Sequence, residues 1–283
     1  MKGPPLFSVI IPTYGRPAFL SEAVASVLAQ TVQNIECIVV DDAGADPVNI
    51  DECERVQIIH RNVNGGAGAA RNTGMEAARG QFFAFLDDDD VYTPDRLELA
   101  LRGLERAPVS VCWSRYSDET EKPQRILDGN AHDLIAQTTT PHMGVTAVQR
   151  ETALNFDERF RTVEDVDWWI RTTKVQLVST VPQIGCLIRR HSGPRPGYAF
   201  ERRIADSHLL MEVHRDYFIA NPKARAFRWR RIGLMSQKVG DQQAAGRAFL
   251  RALRAGRRPR DLKHLLTSIG AKERMERNAA AAD

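Results

Sequence analysis

Gln81-Phe82-Phe83-Ala84-Phe85-Leu86-Asp87-Asp88-Asp89-Asp90 is the stretch on which the reading of this chain turns. Its apolar half reads as a buried strand. Its second half places four carboxylates in a row, which is costly unless solvent or a cation compensates them. Pro94 follows Thr93 and opens a helical pattern, Asp95-Arg96-Leu97-Glu98-Leu99-Ala100-Leu101. The acidic cluster is therefore predicted at the carboxyl end of a central strand, where open α/β sheets place their ligands. Hard oxygen donors on a rigid strand end suit Mg²⁺ or Mn²⁺ carrying a phosphate-bearing substrate. A solvated acidic loop that caps the next helix is the plain alternative.

Working outward, the flanking sequence alternates strand and helix signals. Phe7–Ile11, Ile35–Val40 and Val56–His60 read as strands before the acidic one, and Val109–Trp113 as a fifth after it. Helices are predicted from Pro17, with Phe19, Leu20, Val24, Val27 and Leu28 at helical spacing, and from Ala69 to Ala78. Such alternation implies right-handed crossovers and a mostly parallel central sheet flanked by helices. After Trp113 the pattern lapses into polar sequence as far as about Pro141. It resumes with strand-like Gly144–Val148, a helix from about Glu164 to Thr173, and late strands at 176–181 and 184–188. Gly193-Pro194-Arg195-Pro196-Gly197 is the clearest linker. Beyond Phe200 the signal is helical, and 244–253 suggest a helical hairpin. The expected organisation is one domain over 1–197, with a nucleotide-binding half at about 1–113 and an acceptor half at about 114–197, followed by a basic helical region at 198–283.

Composition sets the bounds. The 283 residues are 43% hydrophobic and 27% charged, ordinary for a chain that buries a real core. The apolar run near the start is short, and no stretch approaches the ~20 apolar residues of a membrane span. Cys37, Cys53, Cys112 and Cys186 are widely separated and lack metal-ligand spacing, which favours free thiols in a reducing compartment and a cytoplasmic protein. The net charge of +3 hides an asymmetry: residues 201–283 carry 19 Lys+Arg against 9 Asp+Glu, and the rest of the chain is acidic. An acidic N-terminal part that binds anionic substrates needs a metal between them. The basic tail could meet phospholipid head groups, nucleic acid or an acidic patch on a second subunit, or simply be solvated.

Three further groups of residues carry chemistry. Pro12-Thr13-Tyr14-Gly15-Arg16 and Asp41-Asp42 close the first two strands on the edge that also holds Asp87–Asp90. An aromatic ring, carboxylates and an arginine there fit a nucleoside, the ring stacking on the base. Asn64-Gly65-Gly66-Ala67-Gly68 makes a tight turn into a helix, with Arg71 one turn in. Arg71 could grip a diphosphate or pair with a carboxylate. Glu164-Asp165-Val166-Asp167-Trp168-Trp169-Ile170-Arg171 opens a helix in which Asp167 and Arg171 are spaced for an ion pair. Trp168 and Trp169 are adjacent, so one is expected to face the core while the other can face a cleft as a platform for an acceptor sugar; core packing is the alternative.

In this order the motifs resemble those of inverting family-2 glycosyltransferases of the GT-A fold. The resemblance runs from about Phe7 to His191. It rests on Ser8-Val9-Ile10-Ile11-Pro12-Thr13-Tyr14-Gly15-Arg16, Val39-Val40-Asp41-Asp42, Asn64 to Gly74, Phe85 to Asp90, Phe156-Asp157-Glu158 and Glu164-Asp165-Val166-Asp167. It implies an α/β nucleotide-diphospho-sugar transferase fold, with a nucleoside-diphosphate sugar donor, often UDP-linked, and Mn²⁺ or Mg²⁺ held by an Asp-x-Asp motif. By position, Tyr14 and Asp42 contact the base with Pro12 and Arg16 nearby, Arg71 approaches the nucleotide, and Asp87 and Asp88 serve the ribose or metal waters. Asp89 is the implied metal ligand, joined by His191 near the diphosphate. Asp165 matches the catalytic base and Glu164 its supporting group; Trp168 and Trp169 fall in the acceptor half.

The implied acceptor is a sugar or lipid-linked hydroxyl, and nucleic acid is not an expected partner. The C-terminal helices would then hold the enzyme at the inner face of an anionic membrane or form a homodimer contact. Two departures stand out: Gly15 replaces the usual Asn, and Asp88 replaces a small residue between Asp87 and Asp89. A sugar nucleotidyltransferase and a non-catalytic nucleotide-sugar scaffold are the competing readings. The first would be expected to show a Gly-rich basic loop after the first strand, and the second would suit loss of Asp89 or Asp165.

Overall fold

The computed structural model describes residues 3–15, 17–45, 48, 50, 53–117, 140–189 and 200–256, with 265 and 267. Arg16, His191, the polar stretch after Ser117, the Gly193–Gly197 linker and the last residues lie outside them. The described residues fall into two compact units, one of the residues up to 189 and the other of those from 200 onward.

In the first unit, β1 (Phe7–Thr13), α1 (Pro17–Leu28), β2 (Ile35–Asp41), β3 (Val56–His60), α2 (Ala67–Ala77) and β4 (Phe82–Phe85) come first. β5 (Val91–Tyr92), α3 (Arg96–Leu104), β6 (Val109–Tyr116), β7 (Thr146–Gln149), α4 (Glu164–Val175) and β8 (Val178–Ile188) follow. The strands form one sheet in the order β3-β2-β1-β4-β7-β6-β8-β5. β1 to β4 run parallel, as do β6 and β8; β7 enters antiparallel between β4 and β6, and β5 is antiparallel to β8. Every residue of β1 and β2 is buried, because helices cover both faces.

The order 3-2-1-4 puts a topological switch at β1, since the chain leaves it toward β2 and returns past it to β4. Carboxyl ends on either side of such a switch diverge and leave a crevice. Pro12 sharpens it. In a parallel ladder the Leu86 N–H, which donates to the Ile10 carbonyl, is followed by a bond from residue 12 to the Leu86 carbonyl. Proline has no N–H to give, so pairing of β1 with β4 stops there and Asp87–Asp90 leave the sheet.

Two details depart from expectation. The late strands at 176–181 and 184–188 are one strand, β8, whose pairing with β6 slips where Pro182 and Gln183 intervene: Cys112 pairs with Val181, but Trp113 with Ile184. β5 is only two residues long and carries no readable period.

The second unit holds α5 (Phe200–Val213), α6 (Arg215–Ala220), α7 (Pro222–Lys238) and α8 (Gln242–Gly256). The expected hairpin is α7 against α8, turned at Gly240 with φ +84° and packed with Gly233 against the Phe249 ring. No described helix is long and apolar enough to cross a membrane. All four cysteines are free, and Cys37, Cys112 and Cys186 are buried.

α2 lies directly on the sheet. A methyl at Gly74 would come within 2.5 Å of Ile10 Cγ2 and 3.3 Å of Val40 Cγ2. Alanine normally stabilises a helix interior by about 1 kcal/mol over glycine, but overpacking costs about 1–3 kcal/mol. Gly74→Ala is expected to destabilise the chain by about 1 kcal/mol in denaturant unfolding, and a stabilised variant would contradict the close seating of α2.

Candidate active site

The edge formed by the ends of β1, β2 and β4 is built from fixed loops. Gly15 adopts φ +66° and Ala43 φ +62°, both left-handed. Gly and Asn adopt this conformation most readily, so the departure at position 15 keeps the backbone available. Tyr14 beside it is an exposed ring, 42% accessible. Pro12 is buried within β1 and acts on the ladder, so the structure does not present it to a ligand.

Asp42 is likewise committed. Its carboxylate accepts the N–H groups of Gly65 (2.8 Å) and Gly66 (2.6 Å) and pairs with Arg61 Nε at 3.0 Å, fixing the Gly-rich turn. Asp41 accepts Gly44 N–H at 2.9 Å and lies 3.0 Å from His60 Nδ1.

The acidic cluster is tied down one carboxylate at a time. Thr13 Oγ1 donates to Asp88 Oδ2 at 2.8 Å across the crevice between β1 and β4. The backbone N–H of Arg189 donates to Asp90 Oδ1 at 3.0 Å. Asp87 receives Arg71 Nη2 on Oδ1 at 2.7 Å and faces His142 Nε2 with Oδ2 at 3.2 Å. Arg71 Nη1 also reaches Glu164 Oε1 at 3.1 Å. Of the two roles open to Arg71, the structure supports pairing with carboxylates: the guanidinium is buried over the Phe156 ring, bound to two acids, and not offered to a diphosphate. Gly68 permits the approach, since its Cα faces Phe156 and Glu164 at a distance where a methyl would crowd both at 3.2–3.3 Å.

Charge and burial set the protonation states. Burial works to raise the Asp87 carboxyl, but Arg71 and His142 outweigh it and hold it well below the usual carboxylate range. Burial disfavours charge on His142 too, yet Asp87 and Asp90 push its imidazole up to about 9. Asp90 is pushed up to about 7 by burial, with Asp87 and Asp89 adding to the rise. Glu164 also rises to about 7, from burial and then from Asp165, against the pull of Arg71. Asp165 is partly exposed in the first turn of α4, where its Oδ1 accepts the Val166 N–H at 2.8 Å.

Trp168 and Trp169 do not behave as a sugar platform. Both are fully buried, in a T-shaped pair 5.2 Å apart, with indole N–H groups donating to the carbonyls of Leu154 (2.7 Å) and Pro141 (3.0 Å). Neighbours on a helix point about 100° apart, but α4 is buried through Val166–Ile170, so neither ring reaches a cleft. They brace the site from behind, with Trp168 stacked on Phe156 and Trp169 holding the residue before His142. Asp167 and Arg171 form the expected ion pair at 2.6 Å.

His142 is the residue that sequence reasoning missed. It lies at the end of the unpatterned stretch, and only the structure brings it to the acids. Ligand atoms of Asp87, Asp90 and His142 all lie within 4.8 Å of one another; Asp89, half-buried in the same turn, is not one of these three. Mixed carboxylate and imidazole donors fit a Mn²⁺-type ion.

A mostly parallel sheet with acids and an exposed ring at its switch point is the arrangement in which open α/β folds bind their ligands. Residues 8–163, more than half of the chain, match Glycosyl transferase family 2, and the chain belongs to that family. An uncharacterized glycosyltransferase of Rickettsia felis is 33% identical over 179 residues, 58% of this chain but 29% of that protein. This chain thus spans less than a third of that relative's length. The UDP-Glc:alpha-D-GlcNAc-diphosphoundecaprenol beta-1,3-glucosyltransferase WfgD of Escherichia coli is 26% identical over 245 residues, covering 78% of this chain and 90% of WfgD. Among solved structures, S. aureus TarS 1-349 in complex with UDP-GlcNAc superposes with a TM-score of 0.63 at 16% identity, over 95% of this chain and 91% of TarS 1-349. That likeness establishes the GT-A fold.

Glu164 makes stability depend on pH. Its folded pKa of about 7 exceeds the ordinary value of 4.5, so the folded state binds the extra proton and stability falls as pH rises from about 4.5 to about 7. Asp90 and His142, also raised, act in the same direction. Glu164→Gln is expected to remove on the order of 2–3 kcal/mol of that decline. Melting curves from pH 4.5 to 8 check this, and an unchanged slope in the variant would contradict it.

Proposed function

We propose that this chain is a divalent-cation-dependent, inverting glycosyltransferase. It moves a sugar from a nucleoside-diphosphate donor, UDP-linked, to an acceptor hydroxyl in glycan or glycoconjugate synthesis. The observation that carries this reading is Arg71, which bonds Asp87 at the donor edge and Glu164 at the start of α4. Through it the two acid segments, 77 positions apart by residue number, face one site.

The roles follow from accessibility and charge. Tyr14 offers its exposed ring to the base. Asp87, Asp88 and Asp89 line the donor edge where ribose and diphosphate would lie. A bound cation would supply charge neutralisation for the departing diphosphate. Asp165, partly exposed at the helix start, accepts the proton of the acceptor hydroxyl as that oxygen attacks the anomeric carbon from the face opposite the diphosphate. Glu164, held by Arg71, keeps that end of α4 in register with the donor edge. A lipid-linked diphosphosugar is the acceptor class we favour, supported by what WfgD's name says of its own acceptor.

Asp165→Asn is expected to lower turnover by about 10²–10⁴-fold while leaving UDP-sugar binding within about twofold. UDP release and donor calorimetry, each with Mn²⁺, measure the two effects. Wild-type turnover in the variant would dismiss Asp165 as the base.

A further inference from the structure

The basic C-terminal region is a feature that the proposed function leaves unused. From 217 to 256 the sequence holds nine Lys+Arg and one acid, Asp241; Arg257, Arg258 and Arg260 follow before the next acid, Asp261. Asp241 is committed to the start of α8, where its Oδ1 accepts the Ala244 N–H at 2.8 Å.

α8 sorts its residues by face. Ala245, Ala248, Phe249 and Ala252 are buried, and the Phe249 ring packs on Gly233 of α7. Gln243, Arg247, Arg251 and Arg254 are all exposed and, at about 100° per residue, share an arc of about 80° on the opposite face. Arg247 Nη1 lies 3.5 Å from Gln243 Oε1, and the Arg251 guanidinium lies 4.5 Å from the centre of the Trp229 ring. Both partners are neutral, so neither contact cancels the charge. A methyl built at Gly246, beside this face, would meet no atom within 4 Å. α7 carries a second row at helical spacing: Lys223, Arg231, Leu234 and Lys238 are exposed, with half-buried Phe227 in line.

The sequence leaves lipid, nucleic acid, a second copy and solvent open as occupants of this region. The faces favour lipid. Arginine forks match phosphate oxygens two at a time. Leu250 and Leu253 are half-buried at the edge of the arginine row, and Leu234 lies between Arg231 and Lys238. Cations interleaved with apolar side chains suit the boundary between headgroups and acyl chains. A single-stranded nucleic acid would want open aromatic platforms, but on these two helices Phe227 and Trp229 are half-buried and Phe249 is buried. A homodimer contact would want an apolar centre, and the outward face of α8 offers guanidinium groups.

We propose that the arginine face of α8, together with the α7 row, docks on the surface of an anionic phospholipid bilayer. The apolar face of α8 is already used against α7, so the helix lies on the bilayer without inserting and the attachment is electrostatic and reversible. This deepens the proposed function, because a lipid-linked acceptor resides in a bilayer. It rests on that reading for its purpose alone, since binding is measured with no donor or acceptor present.

The test is co-sedimentation of the full chain with phosphatidylcholine vesicles, with and without about 30 mol% phosphatidylglycerol. Binding is expected with the anionic vesicles alone, and should fall at least about tenfold between about 0.05 M and about 0.5 M NaCl. Each arginine near such a surface contributes about fivefold, so Arg247→Gln/Arg251→Gln/Arg254→Gln should bind about 100-fold more weakly. The corresponding triple lysine variant keeps the charge and should stay within about fivefold of wild type. Equal binding to both vesicles, salt-insensitive binding, or wild-type binding by the triple glutamine variant would each overturn the proposal. Tighter binding to a DNA duplex than to the anionic vesicles would overturn it in favour of nucleic acid, and a dimer that the triple glutamine variant dissociates would overturn it in favour of a second copy. A chain that docks as described yet transfers no sugar would overturn the proposed function and leave this surface standing.

Discussion

A single buried guanidinium holds the two halves of the candidate site together. Arg71 is 4% exposed at its side chain and shares its two terminal nitrogens between Asp87 and Glu164. Taking three charged groups out of water is costly, and geometry repays it only when each finds its partner. Removing one member of such a set leaves an uncompensated buried charge, typically a loss of 3–5 kcal/mol. The residues around Arg71 serve this contact: glycine at 68 admits Glu164, Phe156 lies beneath the guanidinium, and Trp168 backs Phe156.

The same logic explains how four consecutive aspartates coexist on one turn. Asp87 is balanced by Arg71 and His142, Asp88 by the Thr13 hydroxyl, and Asp90 in part by a backbone N–H. The turn leaves the sheet because Pro12 ends the ladder with β4, which places the carboxylates over the switch point between β1 and β4. Protonation completes the balance. Asp90 and Glu164, each pushed up to about 7, relieve some of the negative charge near neutrality, while His142 is held as a cation.

Much of this was legible in the sequence for physical reasons. β1 and β2 are buried on both faces and so read as unbroken apolar runs, and the helices between them announce themselves by period and by Pro17. The acidic run could be placed at a strand end because a buried strand cannot tolerate it. Elsewhere the signal failed. Pro182 made one strand look like two, and β5 is too short to carry a period. The Trp pair was expected to split between core and cleft, but α4 is enclosed through a wide arc and buries both. Arg71 offered two chemistries in sequence, and only tertiary packing selected the carboxylates. His142 lies 55 positions from Asp87 in a stretch without pattern, so no local rule could have joined them.

The central claim is that the donor edge and the start of α4 are coupled through Arg71. A double-mutant cycle on unfolding free energy with Asp87→Asn and Glu164→Gln tests it most directly, because that guanidinium bonds both carboxylates. An interaction energy of about 1–3 kcal/mol is the result this structure requires. Additivity within about 0.5 kcal/mol would mean that the two acids do not share a partner, and the single-site account would fail.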